Sequence, residues 1–536
     1  MNEAHSSVLN LETDWINSVN PTSLEICGRV RVSSHSDICG AVRLAKKEFS
    51  NWAGIHLAER AKIMRRAQQL LLERAESFAC LITGEMGRPL VESFSLELTG
   101  AIDLMGFYIR NAKRFLRDRS LLIHNPLLMR RNSLIINEPL GVMGIISPWN
   151  WPLLIPMGCI VPALLAGNTV VFKPSEITPL TGIEIQKLFL DAGVPERAFH
   201  VIQGYASCGR SLLDSEAEKI FFTGSTEVGQ NVMSRAAKSL KSAVLELGGN
   251  DPAIVCEDAD IENCTSGILW GGFNNCGQNC NSIERVYVER GISDRFIDML
   301  TGKVKKLRVG DGCNEVVDLG PVANEMQLLK MASIVERAVD RGGEILCGGH
   351  IMNVRTGYFF EPTLIHWKNS QNLNLDEEIF GPAVHVVPVS DIQQAVRLSN
   401  ESSFGLAASV WTRNMKKGES IARQLESGSV MINDSVISFG ISEASWTGVK
   451  KSGIGWTHGR KGMDEMINIK YVCMDTQFRI QKFWWFPYSQ RMVAAMKKAM
   501  FLLFSRKIVK RLAAIPVTLR NFAGYLIKNR RRNDKW

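Results

Sequence analysis

The chain has 536 residues, 45% hydrophobic and 22% charged, with a formal net charge of +9; that is too long for one small core and is the composition of a globular protein of two or three domains. The charge is uneven: residues 477–536 hold fifteen Lys and Arg against one acid, a balance of +14, which leaves 9 − 14 = −5 for the rest and argues against a nucleic-acid-binding body. Twelve cysteines without a Cys-x-x-Cys pair, behind a polar N-terminus lacking the basic-then-apolar layout of a secretory signal, favour free thiols in a reducing, cytosolic compartment.

Leu57, Ala61, Met64, Ala67, Leu71, Ala75, Phe78 and Ile82 recur at steps of three and four, which predicts one long amphipathic helix. A second helix is expected over Leu96 to Leu116, a break at Asn125-Pro126, and a strand over Asn132 to Asn137. From Gly141 short apolar strands alternate with helices. Val142 to Ile146, Thr169 to Phe172 and Lys219 to Phe222 read as strands, with helices near Pro156 to Leu165, Leu180 to Ala192 and Thr226 to Ser239. A second series starts near Asp251. Its expected strands are Ala253 to Cys256, Arg285 to Val288, Ala383 to Val389, Ala407 to Trp411 and Ser429 to Ile432, with helices such as Ser293 to Lys306 and Met326 to Arg341 between them. This alternation implies right-handed crossovers and parallel sheets.

Three strings carry chemistry. Glu246-Leu247-Gly248-Gly249-Asn250 and Gly277-Gln278-Asn279-Cys280 straddle the join between the two series, with Glu246 and Cys280 thirty-four residues apart, and Pro148-Trp149-Asn150-Trp151-Pro152 lies upstream. A thiol, a carboxylate and an amide are the groups that covalent catalysis on a carbonyl needs. The thiol attacks, the amide and the Cys280 backbone N–H hold the oxyanion, and the carboxylate activates water. Taken singly, each has a plainer reading: a small buried hydrophobe for Cys280, a turn bond for Asn150, a strand-end ion pair for Glu246. A thiol needs help to react at neutral pH, and a helix N-terminus or nearby amides would supply it at Cys280. Gly277 permits a tight backbone there, and Gly248-Gly249 leave Glu246 room to move. No metal site is expected: Cys256, Cys264, Cys276 and Cys280 have spacings of eight, twelve and four, and no two histidines stand at helical ligand spacing. No GxGxxG fingerprint follows the early strands. Gly224-Ser225-Thr226-Glu227-Val228-Gly229 instead follows Lys219 to Phe222 and opens a helix whose N-terminus suits a pyrophosphate, although Gly-Ser is also a plain N-cap.

These strings occur with Phe172-Lys173-Pro174-Ser175-Glu176, Gly357-Tyr358, Phe360-Glu361-Pro362-Thr363, Glu377-Glu378-Ile379-Phe380-Gly381-Pro382 and Lys451-Ser452-Gly453-Ile454-Gly455. In that order, from about Val19 to Val472, they resemble the aldehyde dehydrogenase superfamily. The resemblance implies an α/β fold with a Rossmann-type cofactor domain (1–116 and 137–247) and an α/β catalytic domain (248–460). It also implies a small β oligomerisation flap (117–136 and 461–476) ahead of a basic amphipathic tail (477–536), and a homodimer or homotetramer. The implied reaction is oxidation of an aldehyde to the carboxylic acid with NAD(P), with Cys280 as nucleophile, Glu246 as general base and Asn150 as oxyanion donor. Alternatives are an acylating enzyme that uses coenzyme A, or a catalytically silent membrane-associated scaffold. Ile146, Trp149, Lys173, Glu176, Gly224, Ser225, Gly229, Glu378 and Phe380 are the implied dinucleotide-binding residues. Lys173 and Glu176 would meet the adenosine ribose, Glu378 the nicotinamide ribose, and Phe380 the nicotinamide ring. A carboxylate at 176 repels a 2′-phosphate, so NAD is expected over NADP. The chain departs from the family pattern at Cys159, where a lysine is common, at Trp456 in place of arginine, and at Thr447-Gly448 in place of a glycine pair.

Residues 483–536 lie beyond the usual end of such a fold. They begin Phe483-Trp484-Trp485-Phe486-Pro487-Tyr488 and continue as apolar clusters broken by Lys497-Lys498, Arg506-Lys507 and Lys510-Arg511. No charge-free run approaches about eighteen residues, so a spanning helix is not expected. Basic residues interleaved with Phe, Leu and Trp suit a segment lying on anionic lipid. That reading goes with a lipophilic aldehyde and a cytoplasmic enzyme peripheral on the inner face of a membrane. The alternative packs Trp484, Trp485 and Phe486 on the protein's own surface or on a partner subunit.

Overall fold

The computed structural model describes residues 14–506, except 126–127, 129–130, 314–315, 354, 369–372, 476–481 and 483, together with 509 and 514–516. The polar N-terminus, Pro126, Phe483 and most of the basic tail after Arg506 therefore lie outside the described residues. Two compact units are present, one within Met1–Leu116 and Pro139–Asn468, the other within Arg117–Glu138 and Ile469–Trp536.

The first unit contains a six-stranded sheet in the order Gly453–Ile454, Ser242–Glu246, Lys219–Thr223, Val142–Ile146, Thr169–Lys173, Phe199–Val201. All neighbours are parallel except Gly453–Ile454, which runs antiparallel to Ser242–Glu246. Val142–Ile146 and Thr169–Lys173 are buried at every residue, as strands covered on both faces must be. The chain moves outward from Val142–Ile146 to Phe199–Val201, then returns to the other side of its first strand with Lys219–Thr223. That reversal opens a crevice at the carboxyl ends of Val142–Ile146 and Lys219–Thr223, the place where parallel α/β sheets take ligands.

A seven-stranded sheet follows in the order Glu344–Cys347, Thr363–His366, Ala383–Val389, Ile283–Glu289, Asp251–Val255, Ala407–Trp411, Ser429–Ile432. Only the edge strand Glu344–Cys347 is antiparallel to its neighbour. The alternating α/β fold with parallel sheets is thus the one expected from sequence.

Two expectations change. The apolar repeat from Leu57 to Ile82 is not one helix but two, Leu57–Glu73 and Ala75–Met86. Arg74 leaves helical geometry at φ −101° and ψ 14°. Both buried faces enter the same core, so the three-four spacing continues across the break. In the segment 461–466, expected as strand, the helix Gly459–Asp464 comes first and the strand starts at Ile467. The left-handed Gly459 (φ +56°) begins that helix.

The second unit contains a three-stranded sheet in the order Ile467–Asp475, Arg131–Pro139, Arg119–Leu121. Its Ser133 and Tyr471 hydroxyls lie 2.9 Å apart, and Lys470 pairs with Glu138. The helix Gln490–Phe504 is capped by Ser489, whose hydroxyl accepts from the Met492 N–H. It buries Met492, Ala495 and Ala499 and exposes Val493, Met500 and Phe504. No described helix is long and apolar enough to cross a membrane.

Candidate active site

The crevice between Val142–Ile146 and Lys219–Thr223 contains a cavity of about 170 Å³. Trp149, Gly224, Ser225, Glu378 and Phe380 line it, together with Asn150 and Cys280. Ser225 caps the helix Thr226–Lys238, its hydroxyl accepting from the Val228 N–H at 3.4 Å. The Gly224 N–H donates to the Glu246 carbonyl at 3.1 Å. The rings of Trp149 and Phe380 meet edge-on with centroids 5.5 Å apart. Phe380 sits in left-handed backbone (φ +57°). Glu284 holds that turn by accepting the Ile379 and Phe380 N–H groups at 2.9 and 2.8 Å. Burial lifts Glu378 to about 7, and burial with the neighbouring Glu378 lifts Glu284 to about 8. A helix N-terminus, a carboxylate for ribose hydroxyls and two flat aromatic walls fit a dinucleotide.

Ile146, Lys173, Glu176 and Gly229 do not line this cavity. Ile146 pairs with Lys173 across the same sheet edge. The buried Lys173 Nζ donates to Glu176 at 3.3 Å and to the Pro174 carbonyl at 3.0 Å. Gly229 faces Leu247: a Cβ there would come 2.4 Å from Leu247 Cδ2, so this glycine lets its helix approach the sheet.

Cys280 stands in the loop between the helix Ile261–Phe273 and the strand Ile283–Glu289. Asn275, Cys276 and Gly277 are left-handed in succession, at φ +51°, +57° and +67°. Such backbone costs about 1–3 kcal/mol per non-glycine residue and persists only where its surroundings impose it. Here the Asn275 N–H donates to both Glu92 oxygens at 3.1 Å, and its amide donates to the Asn150 and Gln278 carbonyls at 3.1 and 3.2 Å. Asn279 donates to the Asn274 backbone and side-chain oxygens at 3.0 and 2.8 Å. A Cβ at Gly277 would fall 2.1 Å from the Gly381 carbonyl. The preceding helix Ile261–Phe273 points its C-terminal end toward this loop, so of the two expected aids, a helix N-terminus or nearby amides, the one seen is an amide, the Asn281 N–H. Burial and then the acids Asp251, Glu246 and Glu378 push the thiol up, opposed by the Asn281 N–H. Cys280 itself is half-buried.

Asn150 is buried, and its amide donates one hydrogen to the Gln278 carbonyl at 3.0 Å. Its own carbonyl accepts from the Arg88 guanidinium. Arg88 lies over the Trp151 ring at 4.4 Å and pairs with Glu97 at 2.9 Å. Glu97 in turn accepts the Leu153 and Leu154 N–H groups at 2.6 and 2.8 Å. Sequence reasoning missed Arg88, Glu92 and Glu97. The signal available was two acids in the apolar run after Gly87-Arg88-Pro89. The π-helix Ser93–Leu98 bonds five residues back and so turns Glu92 and Glu97 toward one side.

Glu246 ends its strand opposite Thr223 and Gly453. Its Oε1 accepts from the Thr457 hydroxyl at 3.4 Å, and Oε2 has no partner among the described residues. Burial pushes this carboxyl well up, opposed by the Trp446 and Thr457 side chains. The following glycines have a packing role. A Cβ at Gly248 would come 2.5 Å from the Glu378 carboxylate, and one at Gly249 would come 2.1 Å from the Cys280 carbonyl. They are bare so that the strand end can touch both neighbours.

Three cavities share Cys280. One is the crevice cavity of about 170 Å³; a second, of about 320 Å³, lies beside Trp151 and Phe439. The third, of about 10 Å³, joins Cys280 to Glu246 and is walled by Thr457, Trp446, Cys159 and His458. His458 is kept neutral there, its pKa lowered by burial to about 4. Among the described residues no group of three or more His, Cys, Asp and Glu could hold a metal ion.

The model of the aldehyde dehydrogenase family matches residues 9–472. The chain is 38% identical to the mitochondrial succinate-semialdehyde dehydrogenase of Arabidopsis thaliana over 85% of each protein. It is 33% identical to the NADP(+) succinate-semialdehyde dehydrogenase of Escherichia coli (strain K12), over 86% of this chain and 94% of that one. Among solved structures, the NAD+ complex of an aldehyde dehydrogenase from Bacillus cereus superposes with a TM-score of 0.83 at 30% identity, over 86% of this chain and 94% of that one.

Proposed function

The chain belongs to the aldehyde dehydrogenase family, and from that premise we propose how its own residues divide the work. It is an NAD(P)-dependent enzyme that oxidises an aldehyde to the carboxylic acid. Cys280 adds to the carbonyl carbon, and the free N–H of the Asn150 amide with the Cys280 backbone N–H holds the resulting oxyanion. Losing one such donor costs about 3–4 kcal/mol of barrier. When bound, the dinucleotide supplies the hydride acceptor. A thioester then remains on Cys280, and Glu246 takes a proton from the water that hydrolyses it. The relatives lend no support to the coenzyme A or scaffold alternatives.

The observation that supports this assignment is that Cys280 is common to three cavities, one of which also holds Glu246 and another Asn150. Cys280→Ala should abolish NADH formation. Glu246→Gln should release about one NADH per active site and then stall. Steady turnover by the first variant would refute the nucleophile, and undiminished turnover by the second would refute the base.

Four finer assignments are part of the proposal. NAD is preferred over NADP, supported by the Glu176 carboxylate at the ribose end of the sheet edge. The substrate is a lipophilic aldehyde. Residues 483–536 dock on an anionic membrane, supported by exposed Val493, Met500 and Phe504 beside Arg491, Lys497 and Lys498. The enzyme works as a homodimer or homotetramer in the cytoplasm, peripheral on the inner face of that membrane; all twelve cysteines are free thiols, which suits a reducing compartment.

A further inference from the structure

The second of these cavities, of about 320 Å³, has room for far more than a single water. Its inner end is Cys280, flanked by Trp151, Leu154, Ile155 and Phe439, which are buried or half-buried. At its rim stand Trp270 and Asp103, both exposed. No Lys, Arg or His is among its described lining residues, and Asp103 is the single charged one. The buried Ser442 hydroxyl donates to Asp103 Oδ2 at 2.7 Å, which fixes the carboxylate at the entrance.

The consequence for a substrate is electrostatic. Succinate semialdehyde, in the names of two relatives, carries a carboxylate at the end opposite its aldehyde. With its carbonyl at Cys280, that carboxylate would leave water for a mostly apolar passage whose neutral polar groups, Ser95, Thr99, Asn274 and Asn281, offer no cation, and it would do so beside Asp103. An ion buried without a partner is strongly disfavoured, and a like charge adds to the penalty. A neutral alkyl or aryl chain meets neither obstacle and gains contact with the Trp151 and Phe439 rings.

We propose that this passage admits aldehydes with a neutral, apolar chain and rejects those ending in a carboxylate, with Asp103 as the specificity-determining charge at the rim. The proposal deepens the functional reading above and rests on Cys280 being the nucleophile. It sets this chain apart from the acid-terminated substrates in its relatives' names.

The test uses the full chain with NAD. Hexanal should exceed succinate semialdehyde in kcat/KM by about a hundredfold or more, because the carboxylate loses hydration with no cation to replace it. Asp103→Lys should move that ratio about tenfold toward the acid, chiefly through KM, and the shift should shrink as salt is raised. Equal or better use of succinate semialdehyde by the wild type overturns the proposal. A second readout needs no turnover: Cys280 is alkylated by neutral iodoacetamide and by anionic iodoacetate. Asp103→Lys should raise the iodoacetate rate relative to iodoacetamide about tenfold. An unmoved rate ratio overturns the proposal even in an active enzyme. Absence of NADH from every aldehyde, with the alkylation ratio still shifting, would strike the functional reading and leave the charge selection standing.

Discussion

At the scale of single residues, the site is a set of groups held in the less reactive form. The Cys280 thiol and the Glu246 carboxyl are both pushed up by burial, so each favours its proton until something in the cleft changes. The loop glycines decide distance: Gly249 is bare because the Cys280 carbonyl lies where a side chain would begin. Glu176 and Lys173, which form a 3.3 Å pair outside the lining of the crevice cavity, offer a separate test of the proposed cofactor preference. Glu176→Gln removes the charge that opposes a 2′-phosphate and releases a lysine that can answer it. The variant should shift the kcat/KM ratio about tenfold toward NADP; an unchanged ratio would remove Glu176 from cofactor selection.

At the scale of elements, the catalytic loops are held by acids that live on a different segment. Glu92 anchors the strained Asn275 turn, and burial raises its pKa from 4.5 to about 7. The folded protein therefore holds a proton at Glu92 that the unfolded chain has released between those two values. Its contribution to stability is fully present below 4.5 and falls as pH climbs toward about 7. Glu92→Gln abolishes that titration, so urea midpoints of variant and wild type should diverge from pH 5 to pH 8. The variant should gain up to about 3 kcal/mol relative to the wild type, and a difference independent of pH would reject this role. Such anchors explain what sequence reading could and could not reach. Val142–Ile146 and Lys219–Thr223 were legible because a strand buried on both faces is a short apolar run. Cys280, Glu246 and Asn150 were candidates because each sits in a distinctive Gly- or Pro-rich string, and the structure brings Cys280 into one cavity with Asn150 and another with Glu246. The break at Arg74 was not, since the apolar spacing passes through it unchanged. Arg88 and Glu92 were not, because their partners Asn150 and Asn275 lie 62 and 183 residues away along the chain.

At the scale of the whole molecule, the basic C-terminal segment sets this chain apart from the 9–472 span of its family match. Each Lys or Arg near an anionic surface contributes about 1 kcal/mol. The full chain, sedimenting as a dimer or tetramer, should therefore spin down with phosphatidylserine liposomes at low salt, and a chain ending at Gln481 should stay in the supernatant. Co-sedimentation unaffected by the truncation would sink the membrane assignment. Closer to the chemistry, the convergence of separate chambers on one sulfur sets a traffic rule. On the proposed assignment the aldehyde arrives past Thr99 and Asp103 and the nucleotide side opens past Lys330, all three residues being exposed. The acid product can then depart by the door its precursor used without the nucleotide being unseated, so a molecule wedged in one doorway leaves the other free.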